Sequence, residues 1–323
     1  MPRRERDEAL HRGARLSRRP LTHVAVSVHQ RLLARAHKTG ADPNEVFLRY
    51  VLERFLYRLA ESTHASSFML KGATLFAVWE QDPHRATRDV DLLGFGEDSA
   101  ERLRAVFADV CRAAVPDDGM SFAPASIAVR DIREGERYQG KRLRLAARLG
   151  TARYTVQIDV GFGDALAAWD AEVTLPTLLD FPAPRLRAYP AEAVVAEKLH
   201  AMAQHGMLNS RMKDIYDVQA LAARLTFDGC SLAEAVRLTF ERRGRPIGAQ
   251  LPAPLTHAFA SDEVMLPRWA GFLRRNRLEV VDLATAVDGL RAFLLEPWEA
   301  LARGDAFARH WPPGGPWQDP AAA

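Results

Sequence analysis

The stretch Arg85-Ala86-Thr87-Arg88-Asp89-Val90-Asp91-Leu92-Leu93, closed by the glycine-containing GFG at 94–96, limits the possible folds most strongly. Its alternation predicts a strand with Val90 and Leu92 turned to a core and Asp89 and Asp91 on the other face, ~6.6 Å apart along the strand. Two adjacent carboxylates repel unless a cation or a proton sits between them. Magnesium is held through such hard oxygens and keeps waters or substrate phosphates as its other ligands. Two ions ~4 Å apart can clamp both the attacking and the leaving oxygen of a phosphoryl displacement. A pair of solvated acids at a strand edge leaves the same pattern, so the surrounding sequence has to decide between the two.

Three features bear on that choice. In Tyr154-Thr155-Val156-Gln157-Ile158-Asp159-Val160, polar and apolar residues alternate, which puts Asp159 at the end of the polar face of a second strand. If the two strands are neighbours, three carboxylates converge; alone, Asp159 is a strand-end acid before the turn at 161–163. Lys71-Gly72-Ala73-Thr74 places a glycine between a short apolar strand and a helix, either a plain tight turn or a place where backbone N–H groups can reach phosphate oxygens. Farther on, Lys198 shares a helical face with Val194 and Met202, and Asp214 shares one with Val218, Leu221 and Leu225. Lysine is seldom buried without a partner. These two charges therefore line a cleft or form a buried ion pair with each other.

The rest of the chain supplies the frame. Residues 26–61 have helical periodicity with a fresh start at Asp42-Pro43, and 99–115 form a helix capped by Ser99. Strands are predicted in 126–134, 141–150 and 152–163. A proline-rich connector, 175–190, separates this part from helices expected over 191–204, 209–225, 231–243, 263–275 and 282–303. The domains expected are a basic flexible arm (1–24), a core (25–180), a helical domain (190–305) and a frayed tail (306–323). The arm carries seven arginines against Glu5, Asp7 and Glu8, although the whole chain is only +3. It reads either as an attractor of a polyanion such as RNA or as a solvated tail. Cys111 and Cys230 lie outside any CxxC spacing and are expected to be ordinary buried thiols. There is no stretch of ~20 apolar residues and no apolar segment after the basic start, so no membrane partner and a cytoplasmic location are expected. Walker, dinucleotide-fingerprint, HExxH and GxSxG patterns are all missing.

Taken in order, RYVLERFLYRLAES (49–62), FMLKGATLFAVW (68–79), RATRDVDLLGFG (85–96), IDVGFGD (158–164), LPTLLDFPAPRLRAYPAEAVVAEKLHAM (175–202) and NSRMKDIYDV (209–218) make the sequence similar to the AbiEii/AbiGii toxin family of nucleotidyltransferases, within the DNA polymerase β-like superfamily. The resemblance covers roughly residues 24–245. It implies an α/β (α+β) fold: a polymerase β-like nucleotidyltransferase core with a mixed sheet, followed by a helical domain. It also implies a toxin with a cognate antitoxin protein, often in phage defence, that adds NMP from an NTP substrate to tRNA or another RNA acceptor with two Mg²⁺ ions. By position Asp89 and Asp91 match the metal pair, Asp159 the third metal-binding acid, Lys198 the nucleotide-contacting lysine and Asp214 the second-domain aspartate. Lys71, Gly72, Ala73, Thr74 and Thr87 are the further nucleotide-binding candidates. Ala73 departs from the Gly-Ser or Gly-Gly turn usual in the superfamily, so Thr74 or backbone amides must supply that contact. Two other functions stay open: NMP transfer to a protein or small-molecule acceptor, and a non-catalytic nucleotide-binding partner module.

Overall fold

The computed structural model describes residues 23–80, 85, 87–133, 139–163 and 171–320. The expected basic arm lies almost wholly outside the described residues. The chain divides into two compact units, the first ending at Tyr189, the second beginning at Pro190 and also holding Arg85.

The first unit opens with α1 (His23–Thr39) and α2 (Pro43–Ala60), separated where Asp42 accepts the Asn44 N–H at 2.9 Å and Pro43 starts the next helix. Then come β1 (Phe68–Lys71), a 3₁₀ turn (Gly72–Leu75), α3 (Phe76–Trp79), β2 (Val90–Gly94) and α4 (Ala100–Arg112), which is capped by Ser99 as its sequence predicts. Strands β3 (Met120–Phe122), β4 (Ala128–Arg133), β5 (Gln139–Leu149), β6 (Ala152–Phe162), β7 (Ala171–Thr174) and β8 (Arg185–Ala188) complete a mixed eight-stranded sheet. Its order is β3-β5-β6-β2-β1-β8-β7, with β4 also paired to β5. The β2–β6 and β1–β8 pairs are parallel; the others are antiparallel.

One face of the sheet is the core. Leu70, Val90, Leu92, Leu143, Leu145, Val156, Ile158 and Val160 are all buried, and Phe55 of α2 and Phe107 of α4 stack 6.0 Å apart, with Phe68 of β1 5.2 Å from Phe107. Helix α2 is unusual in burying charge as well. Arg58 makes a bidentate pair with Asp118, Arg54 donates to the Pro182 carbonyl, and Glu53 accepts the Leu178 N–H at 2.8 Å. The proline-rich segment is therefore more than a connector. Leu175, Leu178 and Leu179 are buried, and β8 continues the sheet beside β1. Its prolines hid this short strand, because proline demotes a run that otherwise reads as one.

Burial pushes the Glu53 carboxyl up to about 7, against the attraction of Arg54. A raised carboxyl binds its proton more tightly folded than unfolded, so stability falls as pH rises from about 4.5 to about 7, by an amount on the order of 3 kcal/mol. Glu53→Gln keeps an acceptor for Leu178 and should remove this slope. Its urea midpoint relative to wild type should be higher at pH 8 than at pH 5; an unchanged difference would show that Glu53 does not titrate in this range.

The second unit contains α5 (Ala191–His205), α6 (Met212–Arg224), β9 (Phe227–Asp228), α7 (Gly229–Arg242), α8 (His257–Ala260), α9 (Met265–Asn276), α10 (Leu283–Arg303) and β10 (His310–Trp311). The predicted helices are all present. The expected frayed tail is instead packed: β10 pairs with β9, Phe307, Trp311 and Trp317 are buried, and both tryptophans contact the Phe293 ring. Three large aromatic groups in one cluster outweigh the glycines and prolines around them. Cys230 is exposed and Cys111 half-buried, contrary to the expectation of two buried thiols. Among the described residues no helix is long and apolar enough to cross a membrane.

Candidate active site

The register of β2 against β6 decides whether the acids meet. Asp91 lies directly opposite Asp159, so both side chains leave the same face, away from the core. Asp89 falls just before β2 rather than within it. The β1–β2 ladder ends at Lys71↔Asp91 because the chain turns away at Gly72, which leaves Asp89 no partner on that side. Even so, one carboxylate oxygen from each of Asp89, Asp91 and Asp159 lies within 4.8 Å of the others, and all three residues are half-buried. The Thr87 hydroxyl sits 3.3 Å from Asp89 Oδ1 and 3.2 Å from the Asp89 carbonyl, tying this bend together.

The turn predicted to meet phosphate is built against Asp91. Gly72 has φ of +73°, and a Cβ there would collide with the Asp91 carboxylate. Ala73 and Thr74 are buried in the turn, and the Thr74 hydroxyl oxygen is buried without a hydrogen-bond partner. Lys71 is also buried, its ammonium 5.5 Å from the centre of the Tyr189 ring. A set of hard oxygens, a backbone cradle that only glycine leaves open, and an unpaired buried hydroxyl fit a divalent cation with a phosphate-bearing ligand. Gly72→Ala combines left-handed strain, on the order of 1–2 kcal/mol, with displacement of the Asp91 carboxylate. It should weaken divalent-cation binding at the triad about as deeply as losing the carboxylate itself, read by the rise in melting temperature on adding the cation; a rise equal to that of wild type would show that the close approach is not needed.

Arg142 was not singled out in the sequence. It faces Asp159 across β5–β6 and donates two hydrogen bonds to its carboxylate, at 2.8 and 2.6 Å. The signal was present in KRLRLAARLG, where Arg142 and Arg144 alternate with Leu143 and Leu145. Asp159 keeps lone pairs beyond the two that Arg142 uses, so the pairing is compatible with metal ligation.

Lys198 and Asp214 belong to a network in the second unit. The Lys198 ammonium is 3.1 Å from Asp214 and 2.6 Å from Asp217, Arg211 pairs with Asp214 at 2.6 Å, and Arg85 holds Asp217 through two bonds of 2.6 and 2.7 Å. Asp214 and Asp217 are fully buried. The buried ion pair that the sequence left open is therefore present, enlarged by Asp217. That residue lies three positions after Asp214, on the same face of α6, and helical spacing could have found it. Burial opposes charge on Lys198, but Asp217 and Asp214 outweigh it and hold the ammonium above its ordinary pKa. Burial likewise opposes charge on Asp214, but Lys198 and Arg211 prevail and hold it below the usual carboxylate range.

Residues 54–300 match a family described as the nucleotidyl transferase AbiEii toxin of type IV toxin–antitoxin systems. Among solved structures, a Helicobacter pylori protein provisionally named a nucleotidyltransferase is 14% identical, with a TM-score of 0.44 over 88% of this chain and 99% of that one. JHP933 from Helicobacter pylori is also 14% identical, with a TM-score of 0.42 over 88% of this chain and 96% of the other. A search among curated proteins found no match.

Proposed function

Since the chain belongs to the AbiEii family of nucleotidyl transferase toxins, we propose that it transfers NMP from a magnesium-bound NTP to the 3′ end of an RNA, with tRNA as the first acceptor to test. The observation that carries this reading is the convergence of Asp89, Asp91 and Asp159 within 4.8 Å beside the Gly72 turn. Asp89 and Asp91 would hold the magnesium, with Asp159 on the acceptor side. When bound, magnesium supplies the positive charge that offsets these carboxylates and polarises the α-phosphate. The turn at 72–75 offers backbone N–H groups and the Thr74 hydroxyl to the triphosphate, in place of the hydroxyl that Ala73 lacks. Lys71 and Thr87 support the same end of the site, Thr87 by orienting Asp89. Lys198 is assigned to the triphosphate charge and Asp214 to positioning Lys198, in keeping with their matches to the family's lysine and aspartate. The acceptor hydroxyl oxygen bonds to the α-phosphorus as the bond to pyrophosphate breaks, and the hydroxyl proton passes to solvent.

The toxin family implies an antitoxin partner. The acceptor is tested by giving purified protein magnesium, each α-labelled NTP in turn, and total tRNA. Label that enters tRNA and is released by ribonuclease supports the reading. Ribonuclease-resistant label would move the acceptor to a protein or small molecule, and binding of magnesium-NTP with no transfer to any acceptor would leave a nucleotide-binding module.

A further inference from the structure

The face of the sheet that carries the carboxylates also carries an unusual density of arginine. Lys71 on β1, Asp91 on β2, Asp159 on β6, Arg142 on β5 and Arg130 on β4 occupy one register row. Moving along β5 and β6 on that same face, Arg144 lies opposite Gln157, and Arg148 lies opposite Arg153. Among the described register positions of this face on β4, β5 and β6, Asp159 is the one acid. Alternation alone would have been satisfied by any polar residue, since the opposite face makes the core.

Two observations indicate that this strip is not assembled for stability. Arg148 and Arg153 are directly opposed like charges, an arrangement that destabilises an antiparallel pair. In addition, the Arg148 Nε is buried and has no hydrogen-bond partner, and an unpaired buried donor is costly unless a ligand completes it. Arg130 and Arg153 are exposed. From Arg142 to Arg148 the strip runs roughly 20 Å, enough to meet several phosphates of a nucleic-acid strand. It begins at the carboxylate triad.

We infer that Arg130, Arg144, Arg148 and Arg153 form a phosphate-backbone track for the RNA acceptor, leading its 3′ end along β5 and β6 to the triad. This rests on the RNA-acceptor reading above and adds the surface on which that acceptor lies. Planar guanidinium groups suit phosphate oxygens through paired hydrogen bonds, and binding of this kind positions a strand without reading its sequence.

The test uses the full chain and a fluorescein-labelled 20-nucleotide RNA of mixed sequence, with anisotropy measured between 50 and 200 mM KCl. In Arg148→Gln/Arg153→Gln the slope of log affinity against log salt should become shallower by about 1.4, because two phosphates of a single strand are no longer neutralised, and affinity should fall about tenfold at the lowest salt. Arg148→Lys/Arg153→Lys should keep the wild-type slope, which guards against a folding defect in the glutamine variant. DNA of the same sequence should lose the same increment, since phosphates are the groups recognised. The track is overturned if the glutamine variant keeps the wild-type slope, if the lysine variant loses as much as the glutamine one, or if the loss is confined to RNA. Wild-type protein that binds magnesium-NTP but no RNA would also overturn it, leaving nucleotidyl transfer to another acceptor intact. Track-dependent RNA binding without label transfer would keep the track and sink the acceptor reading instead.

Discussion

Asp91→Asn should lower NMP transfer by about 10²–10³-fold or more, the scale on which removing one preorganised charge from a reacting centre is felt, while leaving the chain folded. In magnesium-free buffer the variant should melt about 1–2 °C higher than wild type, because the Asp89 carboxylate no longer faces a second negative charge at Asp91; this is the shift expected for about 1 kcal/mol in a protein of this size. Magnesium should then reverse the order. Saturation to a hundred times the dissociation constant stabilises a binding protein by about 2.7 kcal/mol, and the variant should forfeit most of that gain. Thermal melts with and without magnesium read both signs in one experiment. An equal magnesium-induced shift in the two proteins would remove the triad from metal binding. A lower melting point of the variant without magnesium would mean that Asp91 is structural first.

Lys198→Met should cost about 3 kcal/mol of stability in the second unit. Breaking a buried ion pair costs about 3–5 kcal/mol, and here the lower end applies. Asp214 keeps Arg211, and Asp217 keeps Arg85, so neither carboxylate is stranded. The pH dependence follows from the directions of the two shifts. A depressed Asp214 contributes stability that is present above its unfolded value and lost as pH falls through its folded one. A raised Lys198 contributes stability present below its unfolded value and lost as pH rises through its folded one. The lysine's contribution should thus be flat from about pH 5 to pH 9, and the denaturant-midpoint difference between variant and wild type should be constant over that window. If Lys198 also meets the triphosphate, the variant's affinity for magnesium-NTP should fall at temperatures where it remains fully folded; unchanged affinity there would confine Lys198 to the framework.

Much of the candidate site was legible without coordinates, for physical reasons that differ from residue to residue. Asp89, Asp91 and Asp159 stood out because alternation assigns a face, and acids on the side away from a core have to be solvated or liganded. Lys198 and Asp214 stood out because a charge on an apolar helical stripe needs a partner. Arg142, by contrast, lies in a run of basic and apolar residues with no feature to separate it from Arg144 or Arg148. Only the β5–β6 register places it on Asp159. Asp217 gained its role from Lys198 and Arg85, which are distant in sequence.

By itself, then, the sequence determined the longer helices, the strands β1, β2, β4, β5 and β6, the strand face that carries the acids, and the family to which the chain belongs. All of these rest on local periodicity and on residue order, which are written along the chain. Only the tertiary structure decided that β2 and β6 are parallel neighbours in a register that sets Asp91 against Asp159. The same holds for the Gly72 turn closing on the Asp91 carboxylate, for β8 joining the sheet from within a proline-rich segment, and for the final tryptophans packing rather than fraying. Each of these depends on strand pairing or burial between residues far apart in sequence, where the free energy comes from the partner and not from the segment that carries the signal.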